Sequence, residues 1–319
     1  MARRPAAPRP VDQLEFGPGT TVAGLVEGFR GAGFTAGRVA EAADVWEEMV
    51  RSRATRFLTL SGALVPAGMR RLLSGLVREG YVDVLVTSGA TLVHDLVEAL
   101  GGRHYSVEPP WDDGALRRRG LNRIYDVAMP DRDFIRLEKH LQSVLEPLEG
   151  RTLSLRQLLE AIADSVKDRH SILRAARERG VPLFCPALAD SAIGLQVWLF
   201  LQQRRLVVDA FADMRDLIDI CYESKRAGIV VLGGGVPKNF ALQAMMVTPS
   251  GFDWAVQVTT DRPETGGLSG APPVEAVSWG KVRSRARTVV VPAEATLVLP
   301  LLVAALRDRV KPPAKKGRG

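Results

Sequence analysis

The sequence predicts an α/β fold in which a parallel sheet carries helices on both faces. Two observations point there. Six short apolar runs recur along the 319 residues, and strands buried on both faces read as continuous apolar runs. Between the runs lie longer segments with apolar residues at helical spacing, joined by short turns that carry glycine or proline.

Residues 35–50 place Val39, Ala42, Ala43, Trp46, Met49 and Val50 on one helical face, with Thr35 as the expected N-cap. RFLTLS (56–61) is a strand that ends at Gly62. Residues 66–80 form a helix with Pro66 near its start and Gly80 at its end. VDVLVT (82–87) is the next strand, followed by Ser88-Gly89 and a helix over 91–100. Residues 101–135 carry many charges and Pro109-Pro110, and read as a long surface excursion. Helices are expected over 154–168, over 171–179 and from about 192. The remaining strands are PLFC (182–185), the start of AGIVVLGGG (227–235), WAVQVT (254–259) and RTVVV (287–291). The apolar stretch 288–306 is broken by Pro292, Glu294 and Pro300, so it reads as a strand plus a helix and not as a membrane span.

The net charge of +7 invites a nucleic-acid reading, but its distribution removes the support. Arg3, Arg4 and Arg9 in residues 1–10, with Lys311, Lys315, Lys316 and Arg318 in 311–319, account for all of it. Both ends are proline-rich and read as disordered basic tails around one folded domain, residues 11–310. A nucleic-acid partner is therefore not expected. The 2 cysteines form no disulfide framework. Residues 1–30 hold no apolar signal core, so a cytoplasmic chain without membrane attachment is expected.

A parallel sheet of this Rossmann-like kind binds ligands outside the carboxyl ends of its strands. That gathers Ser61-Gly62, Thr87-Ser88-Gly89, Ala189-Asp190, Gly233–Gly235 and Thr259-Thr260 around one crevice. The glycine run suits either a phosphate at a helix N-terminus or a tight turn. Asp190 suits either ribose hydroxyls or a helix N-cap. His94, one turn into its helix, either faces the crevice or lies on the helix surface; His104, His140 and His170 read as surface or loop residues. No histidine pair has metal-ligand spacing and no CxxC occurs, so no metal is expected. In SWGK (278–281), Trp279 and Lys281 flank a glycine after a Gly/Pro-rich loop. A lysine beside a large aromatic in a closed site loses hydration, which favours the neutral, nucleophilic amine; the alternative is a surface lysine.

EAVSWGKVR (275–283), LGGGVPKNF (232–240), PALAD (186–190) and TLVLPLLV (296–303) together resemble deoxyhypusine synthase, in order and over about 35–305. GALVPAG (62–68), TSGATLVHDL (87–96) and LNRIYDV (121–127) look more like the family's bacterial branch than its eukaryotic enzyme. The resemblance implies a deoxyhypusine synthase-like NAD-binding domain and a homotetramer with active sites at a dimer interface. It implies aminoalkyl transfer from a small amine substrate through an enzyme-lysine imine. The family lysine falls on Lys281, the channel tryptophan on Trp279 and a glutamate on Glu275. NAD contacts fall on Thr87, Ser88, Gly89, Asp190, Gly234, Thr260 and Ala295. Ser61 begins a further cofactor segment, and Glu294 replaces a family aspartate.

The departures concern substrate. Leu195 and Leu268 stand where the family has aspartates, Leu268 just before Ser269. Asn239 replaces a histidine after Lys238, and Val93-His94 replaces an acidic pair. Hydrogen bonds to charged groups contribute about 1.5–3 kcal/mol each, so losing two weakens a polycation by orders of magnitude. The expected function is an NAD-dependent aminoalkyl-transferase working on an amine other than the hypusine-containing translation factor. The alternatives are a homospermidine synthase-type activity on small polyamines and a non-catalytic NAD-binding protein.

Overall fold

The computed structural model describes residues 9–311. Most of both basic tails, residues 1–8 and 312–319, lies outside the described residues. The chain opens with α1 (Val22–Gly28), α2 (Phe34–Arg51) and β1 (Thr55–Leu60). Next come α3 (Arg70–Glu79), β2 (Val84–Thr87) and α4 (Gly89–Ala99). A side excursion builds β3 (Tyr105–Ser106), α5 (Asp113–Arg118), β4 (Leu121–Ile124) and β5 (Val127–Pro130). α6 (Asp131–Leu145), β6 (Thr152–Ser154), α7 (Leu155–Ser165) and α8 (Ile172–Arg179) follow. β7 (Leu183–Phe184), α9 (Ala192–Leu201), β8 (Val207–Asp209) and α10 (Ala210–Glu223) come after them. β9 (Ala227–Leu232), α11 (Gly235–Met246), β10 (Phe252–Thr259), β11 (Val282–Pro292) and α12 (Ala295–Arg309) complete the order.

The six strands expected from the apolar runs form one sheet in the order β11-β10-β9-β1-β2-β7. Every pairing in it is parallel. From β1 the chain moves outward to β2 and β7, then returns beside β1 as β9 and moves out the other way. The strand order therefore reverses between β1 and β9, where an open α/β sheet leaves a crevice at the carboxyl ends.

Side-chain alternation sends each strand into two cores. Leu58, Leu60, Leu232, Val256 and Val258 pack with Trp46 and Met49 of α2 and Leu299 and Leu302 of α12. Phe57, Ile229, Val231 and Ala255 face the other way, against Leu217 of α10 and Ala241 and Met245 of α11. Helices thus cover both faces. Each fully buried large aliphatic or aromatic side chain stabilises by about 1.5–3 kcal/mol.

The structure departs from the sequence reading in three places. Gly33, not Thr35, is the N-cap of α2, which already begins at Phe34. Residues 101–135 are not an irregular excursion: β3, β5 and β4 form a three-stranded antiparallel sheet, with α5 beside it. Helices α6 and α10 were not anticipated. In α6 the buried Leu137, Leu141 and Leu145 come once per turn among charges, a stripe too narrow to stand out in the sequence.

Candidate active site

β1, β9, β10 and β11 end together at a cavity of about 980 Å³. Ser61, Gly233–Gly235, Thr260, Ser269, Glu294 and Ala295 belong to its wall, and Tyr105, Ser106 and Tyr125 reach it from the small antiparallel sheet. Gly234 makes the tightest approach: a Cβ there would lie 2.4 Å from Ser269 Cα. Only glycine lets the loop before β11 close over the start of α11. Gly234 also supplies no side-chain cap, so the first amides of the 12-residue α11 stay open toward the cavity.

α12 starts at the same rim but is capped. One carboxylate oxygen of Glu294 accepts the N–H of Thr296 at 2.8 Å and of Leu297 at 3.1 Å. Burial works against its charge, but the hydrogen bonds from Thr296, Leu297 and Ala295 prevail and hold the carboxyl below its ordinary range. It is a fixed anion with its second oxygen free of hydrogen bonds among the described residues.

Thr87, Ser88, Gly89 and Asp190 form a second corner, at the ends of β2 and β7, and are not in the wall of that cavity. Thr87 is buried. Ser88 caps α4, accepting from the Thr91 N–H. A Cβ on Gly89 would lie 2.4 Å from Ser191 Cβ, so the start of α4 rests on the turn that bears Asp190. Ser191, not Asp190, caps α9. The N-cap alternative for Asp190 is thereby removed, and its carboxylate stands exposed.

Lys281 lies elsewhere. Gly280, at φ 72°, makes the left-handed turn that lets the Lys281 N–H bond Ala276 O at 3.0 Å. The turn places Lys281 Nζ 5.3 Å from the Trp279 ring centroid, within cation–π range. Trp279 is 61% exposed, so this chain alone does not make the closed pocket expected around Lys281. Lys281 precedes β11, whereas Glu294 follows it.

Lys238 departs from the expected substrate contact. It is 3% exposed and donates to Gln257 Oε1 at 3.1 Å, Leu268 O at 2.9 Å and Ala271 O. Its ammonium pins the loop that carries Ser269. Burial lowers Lys238 to about 8, Glu275 opposes that and nearby Lys281 adds to it. Asn239 bonds Gln243 of its own helix, and Glu275 is exposed.

The sequence reading missed one buried ionic group. Asp95 accepts from Arg70 Nε and Ser171 Oγ, each at 2.7 Å, and from the N–H groups of Ile172 and Leu173, each at 3.0 Å. Arg70 also pairs with Asp168 at 2.7 Å and reaches Glu98 at 3.7 Å. Glu98 bonds His104 Nδ1 at 2.8 Å, and His104 Nε2 bonds His94 Nδ1 at 2.9 Å. His104 is not a surface residue: its side chain is 5% exposed, and it forms part of the cavity wall. The i, i+4 spacing of His94 and Glu98 was the available signal. Among the described residues no cluster of His, Cys, Asp and Glu is arranged to hold a metal, and no helix is long and apolar enough to cross a membrane.

Residues 24–306 match the family model for deoxyhypusine synthase. The chain is 52% identical over 302 residues to "Probable deoxyhypusine synthase 1" of Methanosarcina mazei, covering 94% of this chain and 95% of that protein. It is 44% identical to the Archaeoglobus fulgidus protein of the same name, covering 94% and 98%. Both relatives are archaeal, and what the comparisons show is the family, not the bacterial branch expected from the sequence segments. Among solved structures, an Entamoeba histolytica protein assigned to the deoxyhypusine synthases superposes with a TM-score of 0.69 at 19% identity, covering 96% of this chain and 99% of that one. AgrE in complex with ornithine and NAD+ superposes with a TM-score of 0.55 at 17% identity, covering 86% and 34%. At these identities the superpositions speak for the fold.

Proposed function

The chain belongs to the deoxyhypusine synthase family of aminoalkyl-transferases, and on that premise we propose that it is an NAD-dependent enzyme whose carrier of the transferred group is Lys281. One observation supports the cofactor above all: the uncapped start of α11 opens, with Gly233–Gly235, into a cavity of about 980 Å³. That volume falls within the range of small-molecule sites, about 300–1,000 Å³. The open amides suit a pyrophosphate. The free oxygen of Glu294 and the exposed carboxylate of Asp190 suit ribose hydroxyls. Bound there, NAD supplies the acceptor for hydride from the carbon beside the substrate nitrogen.

The chain's own residues supply the rest. The Lys281 amine attacks the oxidised carbon, expels the first amine and holds the aminoalkyl group as an imine until an acceptor amine displaces it, and the hydride first removed would return to that product imine. Trp279 presents a ring face to the cationic chain. Lys281 acts on the charge of Lys238, which pins the Ser269 loop of the cavity wall, but its own surroundings stay open, with Trp279 61% exposed, which favours a site closed by a second copy. Exposed Leu195, Trp198, Leu268 and Trp279 are apolar surface for such a contact, and we read the assembly as a homotetramer. The same reading places the enzyme in the cytoplasm, acting on a small amine.

Leu195 and Leu268 offer no acceptor to an ammonium, which favours a substrate less cationic than spermidine and an acceptor other than a translation factor. The names of the archaeal relatives favour deoxyhypusine formation instead, and homospermidine-type transfer between small amines is the third case. Borohydride reduction after incubation with NAD and a panel of amines decides among them. The expected result is a mass increase on Lys281 that Lys281→Arg abolishes. An enzyme that binds no NAD and traps no amine would overturn the transferase reading and leave a non-catalytic protein.

A further inference from the structure

His94, His104 and Glu98 form a continuous hydrogen-bonded line beside the cavity. Its proton order follows from donor and acceptor types. The Glu98 carboxylate only accepts, so His104 Nδ1 carries the hydrogen toward it. In neutral His104 the other nitrogen, Nε2, is then an acceptor, and His94 Nδ1 must donate to it. His94 Nε2 is left with a bare lone pair. It has no hydrogen-bond partner among the described residues and is not sealed from solvent.

We propose that this line is a proton relay for the amine substrate, with His94 Nε2 as the entry point and His104, held against Glu98, as the place where the proton rests. The step balances by itself. An ammonium N–H that reaches His94 Nε2, one residue in from the cavity wall at His104, gives its proton to it. His94 Nδ1 passes its own hydrogen to His104 Nε2, and His104 becomes an imidazolium paired with Glu98. His94 ends as the Nε2–H tautomer, still neutral. The amine is left with a free electron pair, the form it needs to lose hydride or to attack an imine.

The surroundings fit those roles. Burial, followed by the neighbouring His104, pushes His94 down to about 4, and Glu98 opposes this only in part. His94 is thus a neutral conduit at physiological pH. His104 touches the Glu98 carboxylate directly, at 2.8 Å. Arg70, 3.7 Å from Glu98, is itself committed to Asp95 and Asp168. From α6, Asp133 accepts the Arg103 N–H and pairs with Arg136. α9, also packed on α4, has no ionisable side chain. Asp126, Asp261 and Glu294 are the carboxylates of the cavity wall. Catalysis by such positioned bases accounts for about 10²–10⁴ in rate.

The relay rests on the transferase reading, and its test separates the two. Nitrogen-labelled histidine NMR on the enzyme without cofactor or substrate reads the tautomers. The expected result is Nδ1–H on His94 at neutral pH, changing to Nε2–H in one step as His104 takes up a proton, with Glu98→Gln lowering the pH of that step. Independent titrations with no change of tautomer would overturn the relay, whatever the turnover. In the loaded enzyme, His94→Gln and His104→Asn should each lower kcat at neutral pH by about 10²-fold or more. Raising the pH should restore much of that rate, because the amine then deprotonates in water. A pH profile parallel to that of the unaltered enzyme in both variants would overturn the relay. If the unaltered enzyme turns over no amine, the transferase reading fails, and the tautomer titration alone decides the relay.

Discussion

Ser269 Cα stands 2.4 Å from where a Cβ on Gly234 would lie, so the loop before β11 rests directly on the start of α11. Gly234→Ala must push that loop away, and the Lys238 bonds to Leu268 O and Ala271 O resist the movement. The expected cost is about 1–3 kcal/mol of stability. NAD affinity should fall at least about tenfold, equivalent to 1.4 kcal/mol. Calorimetric NAD titration and thermal melting measure both. Unchanged NAD affinity would show that the cofactor does not use this corner.

Asp190 and Glu294 are both candidate ribose ligands, and their folded-state ties separate them. Asp190 caps nothing, so Asp190→Ala should shift stability by no more than about 0.5 kcal/mol. Loss of a charged hydrogen bond, about 1.5–3 kcal/mol, should still weaken NAD by one to two orders of magnitude. Glu294→Ala removes the α12 cap as well, and should cost a further ~0.5–2 kcal/mol of stability. Equal NAD affinity in Asp190→Ala and the unaltered protein would remove Asp190 from the site.

His94 gives a pH signature with a definite sign. Its folded-state value, about 4, lies below the ordinary 6.5. Between those values the unfolded chain binds the extra proton, so stability rises with pH across the window and is lost on acidification through it. The contribution is on the order of 2–3 kcal/mol. His94→Gln should melt with a flatter pH dependence between about 4 and 6.5. Identical slopes would place the acid sensitivity in other groups.

Leu195 and Leu268 are 52% and 47% exposed, so carboxylates there need no core rearrangement. Leu195→Asp with Leu268→Asp should raise kcat/KM for spermidine by about tenfold or more, at roughly 1.5–3 kcal/mol per charged bond. Steady-state kinetics on spermidine and on a diamine provide the comparison. If the unaltered enzyme already uses spermidine at micromolar KM, other carboxylates such as Glu275 supply the charge.

The six apolar runs and their parallel pairing were legible in the chain itself, but the single crevice read at their carboxyl ends is divided, with Thr87-Ser88-Gly89 and Asp190 outside the wall of the cavity. Continuous burial on both faces leaves a period-independent apolar signal, and glycines mark the turns that follow it. SWGK was legible as a motif, and the structure adds why its glycine is there: only a left-handed residue at 280 returns the chain so that Lys281 meets Trp279. Tertiary structure decided what depends on long-range partners. Lys238 reads as a substrate contact until the loop that it pins comes to lie over it. His104 reads as a loop residue until the turn at Gly101 and Gly102 brings it between His94 and Glu98. Asp190 reads equally as a cap or a ligand until Ser191 takes the cap. Hydrogen bonds between residues far apart in sequence leave no local period, so the fate of each polar side chain is set only when the strands and helices pack.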